Sequence, residues 1–223
     1  MKPIYLGKDI DDEIINVDIE KEGLNFILLT GYTGSGKRVF HYNLYNQLVE
    51  QYTKDELGFM FFDMTRVDFM GCKSEYMIAP SICQPEEAII KLNEIADSDI
   101  EKRLFIHIQE CDMVFIDKEG VEKALNKIKN KNNINIVYST SRIDPSYLGD
   151  WVKNYVDLNV VFEIGSEDSS RLLLGDTSAT QLTSPGSRIM EFNNKRIYCQ
   201  PFTNKEVKQF KKSFTKNFYY GKR

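Results

Sequence analysis

Short apolar runs recur along the chain with little internal alternation: Phe26–Leu29, Phe59–Phe62, Leu104–Ile108, Ile134–Tyr138 and Val160–Ile164. Continuous runs of this length predict strands buried on both faces. Helical spacing falls between them. Phe40, Leu44 and Leu48 repeat at i+4, and Pro85 opens a stretch carrying Ala88, Leu92, Ile95 and Ala96. Val121, Ala124, Leu125 and Ile128 form one apolar face opposite several lysines. Strands alternating with helices predict an α/β fold, a mostly parallel sheet covered by helices on both faces. An N-terminal hairpin is expected from Ile4–Gly7 and Ile14–Ile19 around Asp9–Asp12. A C-terminal hairpin is expected from Ser187–Asn193 and Arg196–Phe202 around Asn193-Asn194-Lys195.

Composition agrees with a folded domain. The 223 residues are 42% hydrophobic and 28% charged, enough to bury a sizeable core. No apolar run reaches the roughly 18–20 residues of a membrane span. The opening Met1-Lys2-Pro3-Ile4-Tyr5 lacks a secretory signal's apolar stretch, so a cytoplasmic protein is expected. Cys72, Cys83, Cys111 and Cys199 form no C-x-x-C pair and lie far in sequence from His41 and His107. They are expected to be reduced and mostly buried, and no metal ligand is assigned. The net charge of −4 excludes a uniformly basic nucleic-acid-coating protein, but it conceals an asymmetry. Residues 204–223 carry +6, leaving −10 on residues 1–203.

Gly31-Tyr32-Thr33-Gly34-Ser35-Gly36-Lys37 follows the first buried strand directly and precedes a helix. This is G-x-x-x-x-G-K in its required setting, so residues 31–38 are candidate nucleotide-binding residues and ATP is the expected cofactor. The glycines let backbone N–H groups converge on phosphate oxygens, and Lys37 reaches the β/γ-phosphates. The next position normally supplies a Ser or Thr hydroxyl to Mg²⁺; here it is Arg38, which has no acceptor lone pair. Two readings stay open: an arginine contacting phosphate directly, or one pointing to solvent.

The strand Leu104–Ile108 runs on into Gln109-Glu110. A strand of this kind usually ends Asp-Glu, the Asp serving Mg²⁺ and the Glu polarising the attacking water. Glu110 keeps the second role as candidate catalytic base; the alternative is a strand-end charge without chemistry. Gln109 offers only a neutral carbonyl, so both usual magnesium partners are missing. Asp63 and Asp112 also lie near strand ends and are read first as solvated loop carboxylates; the alternative is that they compensate for the missing ligands.

With these residues placed, the chain resembles the motor domain of the FtsK/SpoIIIE family, in the HerA–FtsK group of P-loop ATPases. The resemblance runs in order from about residue 3 to 202. It comprises the entry hairpin Leu6–Ile10 with Ile15–Ile19, the phosphate loop Leu28–Lys37 and the strand end Phe61–Asp68. Ile78–Pro80 with Glu86–Ala88, Ile134–Arg142 (with Ser141 where the family has Gln) and Ile164–Arg171 complete it. It implies a RecA-like sheet and a ring, usually hexameric, that moves double-stranded DNA using ATP. Relatives drive conjugation, packaging or protein secretion. Thr140 would be a sensor, and Arg171 a catalytic arginine supplied to a neighbour's phosphates. The other reading of Arg171 is an exposed salt bridge.

Two parts are therefore expected: residues 1–203 as an FtsK-like P-loop ATPase domain and residues 204–223 as a basic aromatic tail. Phe210, Phe214 and Phe218 at i+4 place an aromatic stripe beside lysines, which could dock on the core or meet DNA phosphates. The expected function is an ATP-binding motor on double-stranded DNA, in a homo-oligomer or a mixed ring with an active paralogue. The alternatives are a catalytically weakened subunit and a protein-secretion coupling module.

Overall fold

In the computed structural model, which describes residues 2–146, 148 and 154–220, the apolar runs become the middle of one seven-stranded sheet. Its strands are β3 (Phe26–Thr30), β4 (Leu57–Asp63), β6 (Arg103–Gln109), β7 (Ile134–Thr140), β8 (Leu158–Phe162), β9 (Arg188–Phe192) and β10 (Lys195–Cys199). The order is β10-β9-β8-β3-β7-β6-β4. The five strands from β8 to β4 are parallel, while β9 and β10 add antiparallel to one edge. The mostly parallel, doubly covered sheet expected from the pattern is therefore present. Side chains alternate between two cores: Phe26 and Leu28 enter one, Ile27 and Leu29 the other. The first core is closed by α2 (Pro85–Asp97) and α3 (Lys118–Ile128), the second by α1 (Lys37–Gln51).

Both hairpins form, with shifted ends. β1 (Ile4–Lys8) pairs with β2 (Ile14–Val17) outside the main sheet. In the C-terminal hairpin Asn193 and Asn194 both have positive φ, 48° and 60°, a two-residue turn that places Lys195 in a strand. β8 begins two residues before the run Val160–Ile164. The Asp157 carboxylate accepts from the Asn25 and Phe26 N–H groups at 2.9 Å, and the Asp157 N–H donates to Phe26 O, so Leu158 is already in register beside β3.

The helix of the C-terminal segment, α5 (Asn204–Asn217), begins with a capping box in which Thr203 and Glu206 satisfy each other's backbone N–H. It lies on α1. Phe214 and Phe218 are wholly buried, while Lys205, Lys208, Lys211, Lys212 and Lys216 remain exposed. Tyr219–Tyr220 (β11) then pairs with Cys72–Lys73 (β5). Lys222 and Arg223, the last charges of the segment, lie outside the described residues. The remaining helix, α4 (Glu167–Leu174), is capped at its start by Ser166 and at its end by Gly175 at φ 78°. Among the described residues no helix is long and apolar enough to cross a membrane.

Candidate nucleotide-binding site

The parallel strands β3, β4, β6 and β7 all end on one edge of the sheet, which is where ligands of such sheets bind. β3 hands the chain directly to the loop 31–36 and α1. Gly31, Gly34 and Gly36 all have positive φ (142°, 88° and 117°). At Gly31 a Cβ would stand 2.7 Å from that of Phe162, so the loop closes against β8 only because the residue is glycine. Three backbone bonds fix its shape: Tyr32 N–H to Glu163 O, Ser35 N–H to Tyr32 O, and Gly186 N–H to Ser35 O. The first N–H groups of α1 have no partner within the helix and lie at its positive end. The Ser35 hydroxyl is buried without a hydrogen-bond partner among the described residues. This is a cradle with donors left open, and it fits phosphate oxygens.

The loop forms one wall of a cleft of about 450 Å³ that also takes in Lys37, Arg38, Asp68, Gln109 and Glu110. The Lys37 ammonium donates to the Gly31 carbonyl and, at 3.0 Å, to that of Tyr32. Burial pushes its pKa below the usual lysine value, opposed by the nearby Glu110 and Asp68 carboxylates. Glu110, directly after β6, lies in the left-handed region at φ 49°, unusual for a side chain of this size. Its Oε2 accepts from the Ser141 N–H at 2.9 Å and the Ser141 hydroxyl at 3.0 Å. Thr140 lies beside it. Its hydroxyl stands 3.0 Å from both Asp112 Oδ1 and Arg142 O, and 3.3 Å from Glu110 Oε2. The sensor candidate thus touches the catalytic-base candidate. Tyr32 and Thr33 line the outer part of the cleft.

Arg38 makes a contact that neither sequence reading named. Its guanidinium forms an ion pair with Asp68, in the loop after β4, on the same cleft. The arginine side chain is 54% exposed and the aspartate only 8%. Asp68 entered the sequence reading without a role, because its partner is set by the fold and not by spacing. Asp63 and Asp112 are not solvated loop carboxylates either; both are buried. Asp63 accepts from the Thr65 hydroxyl and from the Phe69 and Met70 N–H groups, and so shapes the loop that carries Asp68. Arg171 is not brought to the cleft. It pairs with Glu167 one turn earlier on α4 at 2.6 Å, with both side chains more than half exposed.

Sequence reasoning also missed a buried polar chain behind the cleft. The Tyr45 hydroxyl meets His107 Nδ1 at 2.6 Å, His107 Nε2 meets the Ser139 hydroxyl at 2.9 Å, and that hydroxyl donates to Gln109 Oε1 at 2.5 Å. A neutral imidazole satisfies every link, and burial holds His107 down to about 4. His41, one turn after Lys37, lies edge-on to His107 at 5.0 Å, and among the described residues neither of its ring nitrogens is hydrogen-bonded. Its pKa is also pushed well down by burial.

These bonds decide the fit of Mg²⁺. The position after Lys37 is a cation, the Gln109 carbonyl already accepts from Ser139, and Asp63 and Asp112 are committed to neighbouring donors. Among the described residues no group of three or more His, Cys, Asp or Glu side chains is placed to hold a metal ion. The donor set does not fit the usual magnesium site of a P-loop ATPase.

No family model matches the chain. Among curated proteins it is similar to the DNA translocase FtsK of Leptospira interrogans, 22% identical over 220 residues that cover 82% of this chain and 23% of that protein. The chain therefore spans about a quarter of that relative's length. Among solved structures it is similar to the pCW3 conjugation coupling protein TcpA in its monomer form with ATPγS. There the TM-score is 0.70 at 18% identity, covering 95% of this chain and 75% of that one. ATPases 2 and 3 of Thermomonospora curvata EccC, in complex with a signal sequence peptide, give a TM-score of 0.69 at 15% identity, covering 91% and 41%. These likenesses bear out the RecA-like P-loop fold and the resemblance to FtsK translocases.

Proposed function

We propose that this chain, a sequence relative of FtsK DNA translocases, is an ATP-binding motor domain that acts on double-stranded DNA as one subunit of a ring. The observation that carries the reading is the convergence of the open phosphate loop, Lys37 and Glu110 on one cleft. Phosphate oxygens would take the loop N–H groups and the Ser35 hydroxyl. Lys37 would exchange the Gly31 and Tyr32 carbonyls for the β/γ-phosphates. Glu110, held by Ser141, would polarise the attacking water, and Thr140 would report its state to Asp112, after β6, and Arg142, after β7. Arg171 would reach a neighbouring subunit's phosphates across a hexameric interface, which its exposure on α4 permits. Residues 1–203 would form the P-loop domain. Residues 204–223 would form an arm whose exposed lysines offer phosphate contacts to DNA in the cytoplasm.

Steady-state ATP hydrolysis with and without double-stranded DNA tests this. Turnover stimulated by DNA and lost in Glu110→Gln is expected; turnover indifferent to both refutes it. The Arg38–Asp68 pair and the engaged Gln109 favour a second reading, a weakened subunit that binds nucleotide and works beside an active paralogue. Under it the wild type is inert and Arg38→Thr with Gln109→Asp gains turnover. A secretion-coupling role, by analogy with EccC, would show instead as oligomerisation driven by a signal peptide and not by DNA.

A further inference from the structure

The poor fit of Mg²⁺ has a counterpart in the same cleft. We propose that Arg38 is a built-in counter-cation: when nucleotide enters, its guanidinium leaves Asp68 for the terminal phosphate oxygens, so that tight binding needs no divalent metal. The proposal rests on the reading of the cleft as a nucleotide site.

Three features of the structure support the exchange. The first is the place and freedom of Arg38. It sits on the first turn of α1, adjacent to Lys37, so its side chain starts from the edge of the phosphate cradle. Its side chain is more than half exposed, free to turn without repacking the core. A guanidinium also presents a planar fork of donors that matches two phosphate oxygens at once.

Asp68 is the second feature. It is nearly buried, and burial pushes its carboxyl above the usual aspartate value even with the guanidinium beside it. Uncovering this desolvated carboxylate costs free energy, and a terminal phosphate, with more charge and more acceptors, offsets that cost. The ion pair holds Arg38 at the edge of the cleft. The third feature is charge balance. Lys37 and Arg38 face Glu110 and Asp68, so the cleft holds two positive and two negative groups before nucleotide arrives. A polyphosphate entering it draws both cations: Lys37 turns from the Gly31 and Tyr32 carbonyls, and Arg38, the more exposed of the two, turns from Asp68.

The test is a titration with a fluorescent methylanthraniloyl-ATP, in excess EDTA and in excess MgCl₂, on the full chain. The wild type is expected to bind in EDTA with less than about a tenfold loss relative to Mg²⁺. Charge-assisted bonds to phosphate are worth about tenfold or more in affinity. Arg38→Thr should therefore lose at least that factor in EDTA and regain part of it with Mg²⁺. Arg38→Lys should fall between the two, since it keeps the charge and loses the fork. Asp68→Asn, which frees the guanidinium, should bind in EDTA at least as tightly as wild type. Wild-type binding that collapses tenfold or more in EDTA overturns the proposal while leaving the nucleotide site intact. Arg38→Thr binding as tightly as wild type in EDTA also overturns it. No wild-type binding in either buffer overturns the nucleotide-site reading as well.

Discussion

Replacing Phe214 by alanine removes the ring that joins α5 to α1. The side chain is wholly buried and lies parallel to two neighbours. Tyr42 on α1 is 4.1 Å away between centroids with planes 25° apart, and Phe218 is 4.7 Å away at 15°. Phe218 in turn meets Phe59 at 5.2 Å and Phe61 at 5.8 Å, both on β4, so the stack reaches the sheet. Truncating a buried phenylalanine costs about 3–5 kcal/mol when the surroundings cannot collapse into the space. Collapse is limited here, because Tyr42 is fixed in a helix and Phe218 is pinned by β4. Each lost ring–ring contact adds about 0.5–1.5 kcal/mol to simple area burial, which places the expected loss near the upper part of that range. Against the roughly 5–15 kcal/mol of a typical domain this is severe, and it corresponds to a fall in Tm of about 6–20 °C. Urea unfolding followed by far-ultraviolet circular dichroism measures it. Lys208→Ala and Lys212→Ala, on the exposed face of the same helix, should stay within about 0.5 kcal/mol of wild type. A loss below about 1 kcal/mol for Phe214→Ala would refute the view that α5 completes the core and would make the segment a detachable arm.

Acid should destabilise the fold through its buried histidines. His107 is held down to about 4 and His41 is pushed well down in the same way, while both titrate near 6.5 in an unfolded chain. The unfolded state then binds protons first as pH falls. Stability is complete above about pH 7 and declines from about 6.5 toward 4, by on the order of 3 kcal/mol from His107 alone. Urea midpoints across that range check this. His41→Phe removes a ring whose nitrogens have no partner among the described residues, so it should flatten part of the decline; an unchanged slope would count against the assignment. Gly31→Ala places a Cβ against Phe162 at a φ of 142° and should lower stability by about 1–3 kcal/mol, with nucleotide binding weakened in parallel. Wild-type behaviour of that variant in both titrations would show that the loop is not held as described.

The legible parts of the sequence were those whose cause is local. Five apolar runs became strands because each is buried on both faces, and the glycine spacing marked the loop 31–36, whose Gly31, Gly34 and Gly36 all take positive φ. Boundaries failed where a distant group sets them, as at β8, whose start is fixed by Asp157 reaching back to Asn25 and Phe26. Polar residues of α1 were illegible for the same reason. Asn43 and Asn46 look like a solvated face, yet their amides donate to the carbonyls of Tyr5 and Phe210 on elements that flank the helix. Arg188 is the extreme case. It reads as an ordinary strand cation, but it is wholly buried, donating to the carbonyls of Leu6, Gly186 and Gln200 with Phe202 stacked 4.4 Å away. A backbone carbonyl has no sequence signature, so no pattern could have announced that partner.

The same principle explains why the magnesium question could not be closed from motif letters. Two substitutions, Arg38 and Gln109, suggested that a metal site had simply lost its ligands. In the folded chain the neighbouring groups are engaged with one another instead. Asp63 folds the loop after β4, that loop carries Asp68, Asp68 holds Arg38, and Gln109 closes the hydrogen-bond chain from Tyr45. Reverting one position cannot then restore the usual site. A threonine at 38 leaves Asp68 buried without its cation, and an aspartate at 109 brings a new carboxylate into the buried chain of Ser139 and a neutral histidine, which holds no cation to balance it. Coupled positions of this kind give non-additive effects. The cleft is therefore organised around its own ion pair, and the phosphate loop beside it keeps the open donors that a nucleotide requires.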